Sequence, residues 1–167
     1  MLLNRAWIEA RIPHQGRMCL LDEVIDWNAQ HIRCVTATHR APDNPLRSHG
    51  QLGIASGIEY AAQAMALHGA LAGGAATGTA VATDDAGANA AAPTRSPPQV
   101  GLLAAVRDVR LFVTRLDDID ADLICEVEHL AGDGLTAMYA FALRDRDRIL
   151  LSGRASVVLD ADKRQPL

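Results

Sequence analysis

Beyond residue 100 the chain alternates apolar and polar positions with a period of two. Val109, Leu111 and Val113 form one such set, and Leu123, Cys125, Val127 and His129 a second. Leu135, Ala137, Tyr139, Phe141 and Leu143 form a third, and Ile149, Leu151, Gly153, Ala155, Val157 and Leu159 a fourth. Each set predicts a strand with one covered face. The breaks between them are short: Asp117-Asp118 with its neighbours, Gly132-Asp133-Gly134, and the charged run from Arg144 to Arg148. Four strands so connected predict an antiparallel meander. Earlier in the chain, GRMCLLDEVIDW and QHIRCVTATH read as two extended segments separated by Asn28-Ala29. A turn-rich loop, APDNPLRSHG, follows. LGIASGIEYAAQAMALHGALAGG is the one convincing helix, with Ile54, Ile58, Ala61 and Met65 at helical spacing and Gly73-Gly74 as a stop signal. Its many Ala and Gly residues suit a buried helix approached closely by a sheet. The pattern alone gives an α+β protein with a helix on a sheet.

Residues 73–99 break this pattern. They are rich in Ala, Gly, Thr and Pro and nearly free of large apolar side chains. Too little surface is available there to offset the entropy of ordering, so the segment is expected to be a flexible loop within a single domain spanning 1–167. A length of 167 residues fits one domain. Apolar residues at 49% and charged residues at 22% place the chain among globular proteins. The net charge of −4 argues against a dedicated nucleic-acid binder. Cys19, Cys34 and Cys125 are odd in number and widely spaced, which suggests buried thiols rather than a disulfide framework. No apolar run reaches the length of a membrane span, and the N-terminus lacks signal-peptide architecture. A cytoplasmic location is expected.

Three strings bear a family resemblance. IPHQGRMCLLDEVIDW is similar to the opening of the 3-hydroxyacyl-acyl-carrier-protein dehydratases, where a Pro-His pair precedes an apolar strand. GIEYAAQAM resembles the helix that carries the catalytic carboxylate in that family. VGLLAAVRDVRLFVTRLDDIDADL resembles its third strand and the turn after it. The resemblance runs from about residue 11 to 159 apart from the low-complexity segment, and is closest to the predicted dehydratases of aryl polyene, type II polyketide pigment clusters. It implies a hotdog fold, a curved antiparallel sheet wrapped around one central helix. It also implies a homodimer, or a heterodimer with a second hotdog dehydratase, with the active site formed across the interface.

Dehydrating a 3-hydroxyacyl thioester requires a base near C2, an acid near the C3 hydroxyl, and donors to the thioester carbonyl. Glu59, an acid on an apolar helix, is the candidate carboxylate, and Gln63 lies one turn later on the same face, placed to orient it. The residues alone also allow a first-turn glutamate that merely complements the helix dipole. For the histidine, the sequence lacks the Gly-His-Phe-Pro-Gly loop of the bacterial fatty-acid enzymes, and Pro45 stands at the family's usual offset. His49 is the nearest histidine on the corresponding loop and is the candidate to meet a neighbouring subunit's Glu59. His14, from the Pro-His opening, is the other candidate, and the resemblance implies a structural use for it. His68 falls on the helix face opposite Glu59 at ~100° per residue. His31, His39 and His129 sit in strand patterns. The backbone amides of Gly53 and Ile54, at the helix start, are candidates to hold the thioester carbonyl. No histidine pair has metal-ligand spacing, so neither a metal nor another cofactor is expected. The expected substrate is an acyl chain on an acyl carrier protein or CoA. For an acidic carrier, Arg107, Arg110 and Arg115, or Arg144, Arg146 and Arg148, offer a basic landing patch. The competing readings are a hotdog thioesterase, whose helix carboxylate activates water, and a non-catalytic subunit beside an active paralogue.

Overall fold

The computed structural model describes residues 3–76 and 101–159. The low-complexity stretch from residue 77 onward, expected as a flexible loop, lies outside them. A two-residue strand β1 (Leu3–Asn4) leads into a short helix α1 (Arg5–Glu9), then strands β2 (Glu23–Trp27) and β3 (His31–Thr36). The long helix α2 (Gly57–Ala76) comes next, entered through a 3-10 turn at Ile54–Ser56. Four long strands follow among the described residues: β4 (Leu102–Leu111), β5 (Leu123–Gly132), β6 (Thr136–Asp145) and β7 (Arg148–Val158). All pairings are antiparallel and form one seven-stranded sheet in the order β1-β2-β3-β5-β6-β7-β4. Helix α2 packs on β3, β5 and β6. This is the hotdog arrangement.

The periodicities correspond to faces. Leu123, Cys125 and Val127 on β5 and Ala137, Tyr139, Phe141 and Leu143 on β6 are buried, as are Leu151, Ala155 and Val157 on β7. They meet Tyr60, Ala61, Ala64, Met65 and Leu67 of α2 in one core. Gly57 shows why the helix starts where it does. A Cβ there would come within 2.7 Å of Leu151 Cδ2 and 3.1 Å of Leu143 Cδ2. Only a residue without a side chain lets the first turn press this close to the sheet.

Four details depart from the expectations. The meander holds for β5, β6 and β7, but β4 crosses the sheet and pairs with β7 at the far edge. Residues 112–122 are a connection long enough to cross, and local periodicity carries no information about which neighbour a strand selects. The alternation at Val109 is broken by a bulge between Arg107 and Arg110, with Asp108 at φ 53. Helix α1, too short to show periodicity, is fixed by Asn4, whose side chain accepts from Trp7 N at 3.1 Å. Helix α2 continues past the Gly73-Gly74 pair to Ala76.

Among the described residues, no helix is long and apolar enough to cross a membrane. Cys19, Cys34 and Cys125 are free and buried. Cys34 and Cys125 face each other across β3 and β5, and burial pushes the Cys34 thiol up to about 12.

Candidate active site

Glu59 occupies the first turn of α2, with its side chain one-third exposed. His14 reaches it from the segment between α1 and β2. Its Nε2 lies 3.1 Å from Glu59 Oε1, in one and the same chain. Two sets of contacts bring them together across 45 residues of sequence.

The first is a clamp by Gln63, which is fully buried. Its Oε1 accepts from Leu20 N–H at 2.8 Å, and its Nε2 donates to Met18 O at 2.8 Å and to Glu59 Oε1 at 3.0 Å. One amide therefore ties the 18–20 backbone to the helix and orients the carboxylate. A neutral side chain that satisfies buried backbone groups at this point avoids the cost of leaving them unpaired. The second set holds the same loop from its other sides. Leu20 O accepts from the hydroxyls of Thr36 and Thr38. Thr38 in turn meets the Tyr60 hydroxyl at 3.0 Å, and Asn44 Nδ2 donates to that hydroxyl at 3.0 Å. Burial raises the Tyr60 phenol above its usual range, so it stays protonated as a network member. Arg5 donates to Gly16 O and Cys19 O, and Gln15 Nε2 donates to Glu9 O and Ile12 O. His14 stands between these anchors.

The loop leading into α2 is fixed by a buried carboxylate. Asp117, with a side chain only 5% exposed, accepts from Leu52 N–H at 2.9 Å and from Arg115, and Arg47 approaches it at 3.5 Å. The Arg115 guanidinium, reinforced by the Leu52 amide, holds this carboxyl well below the usual carboxylate range.

The other predicted residues fall elsewhere. His49, at φ 51, sits on the exposed reversal Ser48–Gln51, where its Nδ1 meets Ser48 Oγ at 3.0 Å. Within the chain it is His14 that reaches Glu59. The Ile54 amide, expected to face a thioester carbonyl, is spent instead on Thr114 O at 3.0 Å. The first turn is tied to the β4–β5 connection, so that donor is already satisfied. Gly53 is exposed and bridges to Arg115. His68 lies on the opposite face, as helix geometry requires. It is buried against Asn28 O at 3.1 Å and near the Tyr139 hydroxyl, and its burial lowers its basicity. His39 is buried with Nε2 at 2.9 Å from Ile119 O, His31 pairs with Asp26, and His129 packs edge-on to Tyr139. Two open depressions of about 460 Å³ and 630 Å³ lie against β4, β7 and the β4–β5 connection, and neither is lined by His14 or Glu59.

The arginine sets separate on inspection. Arg115 is neutralised by Asp117 and Asp118, Arg144 by Glu126, and Arg148 by Asp145. Arg107 and Arg110 are exposed on β4 and have no carboxylate partner among the described residues. The sequence signal for His14 was the Pro-His string itself. The signals for Asp117, Thr36, Thr38 and Asn44 were absent, because these residues are ordinary in type and gain their roles through contacts distant in sequence.

Residues 6–83 match the ApeP-like family, described as ApeP dehydratase. That stretch contains His14, Glu59 and Gln63. Among solved structures the chain is similar to the dehydratase heterocomplex ApeI:P from Xenorhabdus doucetiae, at TM-score 0.69 and 20% identity, covering 91% of this chain and 90% of that one. It is also similar to a thioesterase from Pseudomonas aeruginosa, at TM-score 0.52 and 9% identity, over 83% and 80% of the two chains. At these identities the solved structures show the shared fold. No curated protein sequence matches. The chain is a hotdog-fold protein, and its site-bearing stretch, residues 6–83, is similar to the ApeP-like dehydratases.

Proposed function

We propose that the chain removes water from a 3-hydroxyacyl thioester, giving the trans-2-enoyl thioester, with the acyl chain carried on an acyl carrier protein or CoA. The observation that carries this reading is the contact of His14 Nε2 with Glu59 Oε1 at 3.1 Å, clamped by Gln63. An acid and an imidazole at one solvent-accessible point supply proton transfer. Gly53, exposed at the helix entrance, leaves room for the thioester. His49 takes no proton-transfer step in this reading.

The partner belongs along β4. That strand is one of the sheet's two edges, the long one opposite the two-residue β1, and Leu102, Leu103, Leu111 and the adjoining Phe112 are exposed at 54%, 40%, 51% and 56%. Such an edge invites a further strand. A second hotdog dehydratase chain fits it, as in a heterodimer, and a second copy of this chain is the other candidate. Because one chain holds both His14 and Glu59, the partner's task is to enclose the site rather than to complete the pair.

The test uses the purified protein alone and with its partner chain, and a 3-hydroxyacyl thioester on carrier protein. Appearance of near-ultraviolet enoyl-thioester absorbance, lost in Glu59→Gln, is the expected result. Release of free thiol without enoyl product would mean a thioesterase. Turnover that survives Glu59→Gln in a complex would assign the chemistry to the partner and leave this chain a supporting subunit.

A further inference from the structure

We propose that the arginines of β4 choose the partner: Arg107 and Arg110, with Arg154 behind them on β7, keep a second copy of this chain off the open edge and fit a different chain whose edge strand carries Asp or Glu on its outer face. This rests on the reading above that the partner lies along β4. The two faces of that edge differ in kind. Leu103, Val106 and Leu111 stand opposite Val157, Ala155 and Leu151 of β7, which are buried in the core, so they form an inner apolar row. With no strand beyond β4, Leu103 and Leu111 of this row stay exposed. Arg107 stands opposite Arg154, and Arg110 opposite Ser152, on the outer face.

The bulge is what makes the outer face basic. Residues three apart on a regular strand point to opposite faces. Between Arg107 and Arg110, β4 advances three residues while β7 advances two, from Arg154 to Ser152. The extra residue returns Arg110 to the face that Arg107 occupies. All three arginines are exposed, and Arg107 and Arg154, directly opposite on paired strands, repel each other. None of the three pairs with a carboxylate among the described residues. Asp108, inside the bulge, is the one acid of β4. Glu126 and Glu128 of the outer face lie on β5, two strands beyond β7. Three guanidinium groups against one carboxylate leave the edge with two net positive charges.

A strand added here must supply apolar side chains inward and a complement to the arginines outward. A second copy supplies the first and not the second. When identical strands pair antiparallel about a two-fold axis, the register that covers Leu103 with Leu111 of the second copy sets Arg107 opposite its own duplicate. Arg110 and Arg154 of both copies crowd into the same region, so six guanidinium groups face two carboxylates. Sliding the register by two residues, the smallest step that keeps the faces matched, changes which arginines meet but leaves them together, because they sit at and just past the middle of the strand. Like charges placed this way penalise the wrong pairing, whereas acidic side chains on an unlike chain turn the same arginines into an attraction. Charge on an apolar edge is also a general means of preventing a strand from pairing with itself.

A charge-reversed copy of the chain serves as the probe. Full-length wild type is mixed with an Arg107→Glu, Arg110→Glu variant, which keeps the apolar row and places acids outside it. Association is measured by sedimentation equilibrium at low and high salt, and circular dichroism melts check the variant's fold. The mixture should associate at least tenfold more tightly than either protein alone, an order-of-magnitude expectation for opposed against like charges. That advantage should vanish near 1 M salt, where the screening length falls to about 3 Å. A mixture no tighter than wild type alone overturns the proposal. If wild type pairs tightly with itself and Leu111→Lys with Phe112→Asp breaks that pair, the edge reading stands and only the choice by arginine fails. A mixed pair that survives those two substitutions in both members removes the edge reading and the proposal together.

Discussion

Replacing Gln63 by Leu removes a buried amide of similar size and tests the clamp directly. The substitution deletes three hydrogen bonds, to Leu20 N–H, Met18 O and Glu59 Oε1. Leu20 is fully buried, so its amide is left with nothing to bond, whereas Met18 is partly exposed and its carbonyl regains water. An unsatisfied buried group costs about 1–3 kcal/mol, and with the smaller loss at Met18 the expected destabilisation is about 2–4 kcal/mol. For a chain of this length that lowers Tm by roughly 5–12 °C. Circular dichroism melts at one fixed protein concentration measure it, since association itself shifts Tm. In urea the midpoint should fall with an unchanged slope. Activity should drop further than the folded fraction explains, because Glu59 and the His14 segment lose their common tie. A Gln63→Leu protein that melts within about 2 °C of wild type, with kcat intact, would show that neither the loop nor the carboxylate depends on the amide.

Other consequences follow from the same contacts. The Asp117 pKa is lowered in the folded chain, so its contribution is present above the unfolded carboxyl's value of about 3.9 and is lost as pH falls through the folded one. Asp117→Asn should therefore lower Tm at pH 7, and the gap to wild type should begin to narrow only as melts are taken below a pH of about 3.9; a gap that stays constant there would exclude the ion cluster as the cause. His39 and His68 are shifted downward by burial, so the unfolded chain binds protons first. Stability is then full above the unfolded histidine value of about 6.5 and declines as pH falls below it. His68→Gln should flatten that decline in melts between pH 7 and 5, and an unchanged slope would place it elsewhere. Leu111→Lys with Phe112→Asp puts charge on the exposed edge of β4 and should abolish association in sedimentation velocity without altering the fold by circular dichroism. Retained assembly would move the interface off this strand.

The sequence by itself determined the elements. The period-two sets at Leu123–His129, Ala137–Leu143 and Leu151–Val157 became strands with those residues inward, because alternation is a property of the strand alone. The small-residue helix carrying Glu59 and Gln63 was legible for the same reason, and its geometry placed His68 on the far face before any neighbour was known. Tertiary structure alone decided what those elements meet. The crossing of β4 to β7 was invisible, since pairing partners depend on a sheet edge that exists only once the other strands are placed. The meeting of His14 with Glu59 was equally invisible. It depends on Leu20 and Met18 hydrogen-bonding to a glutamine more than 40 residues later. Buried backbone groups must find partners somewhere, and the sequence does not name them. Only the folded chain shows that the partner is the residue one turn beyond the carboxylate.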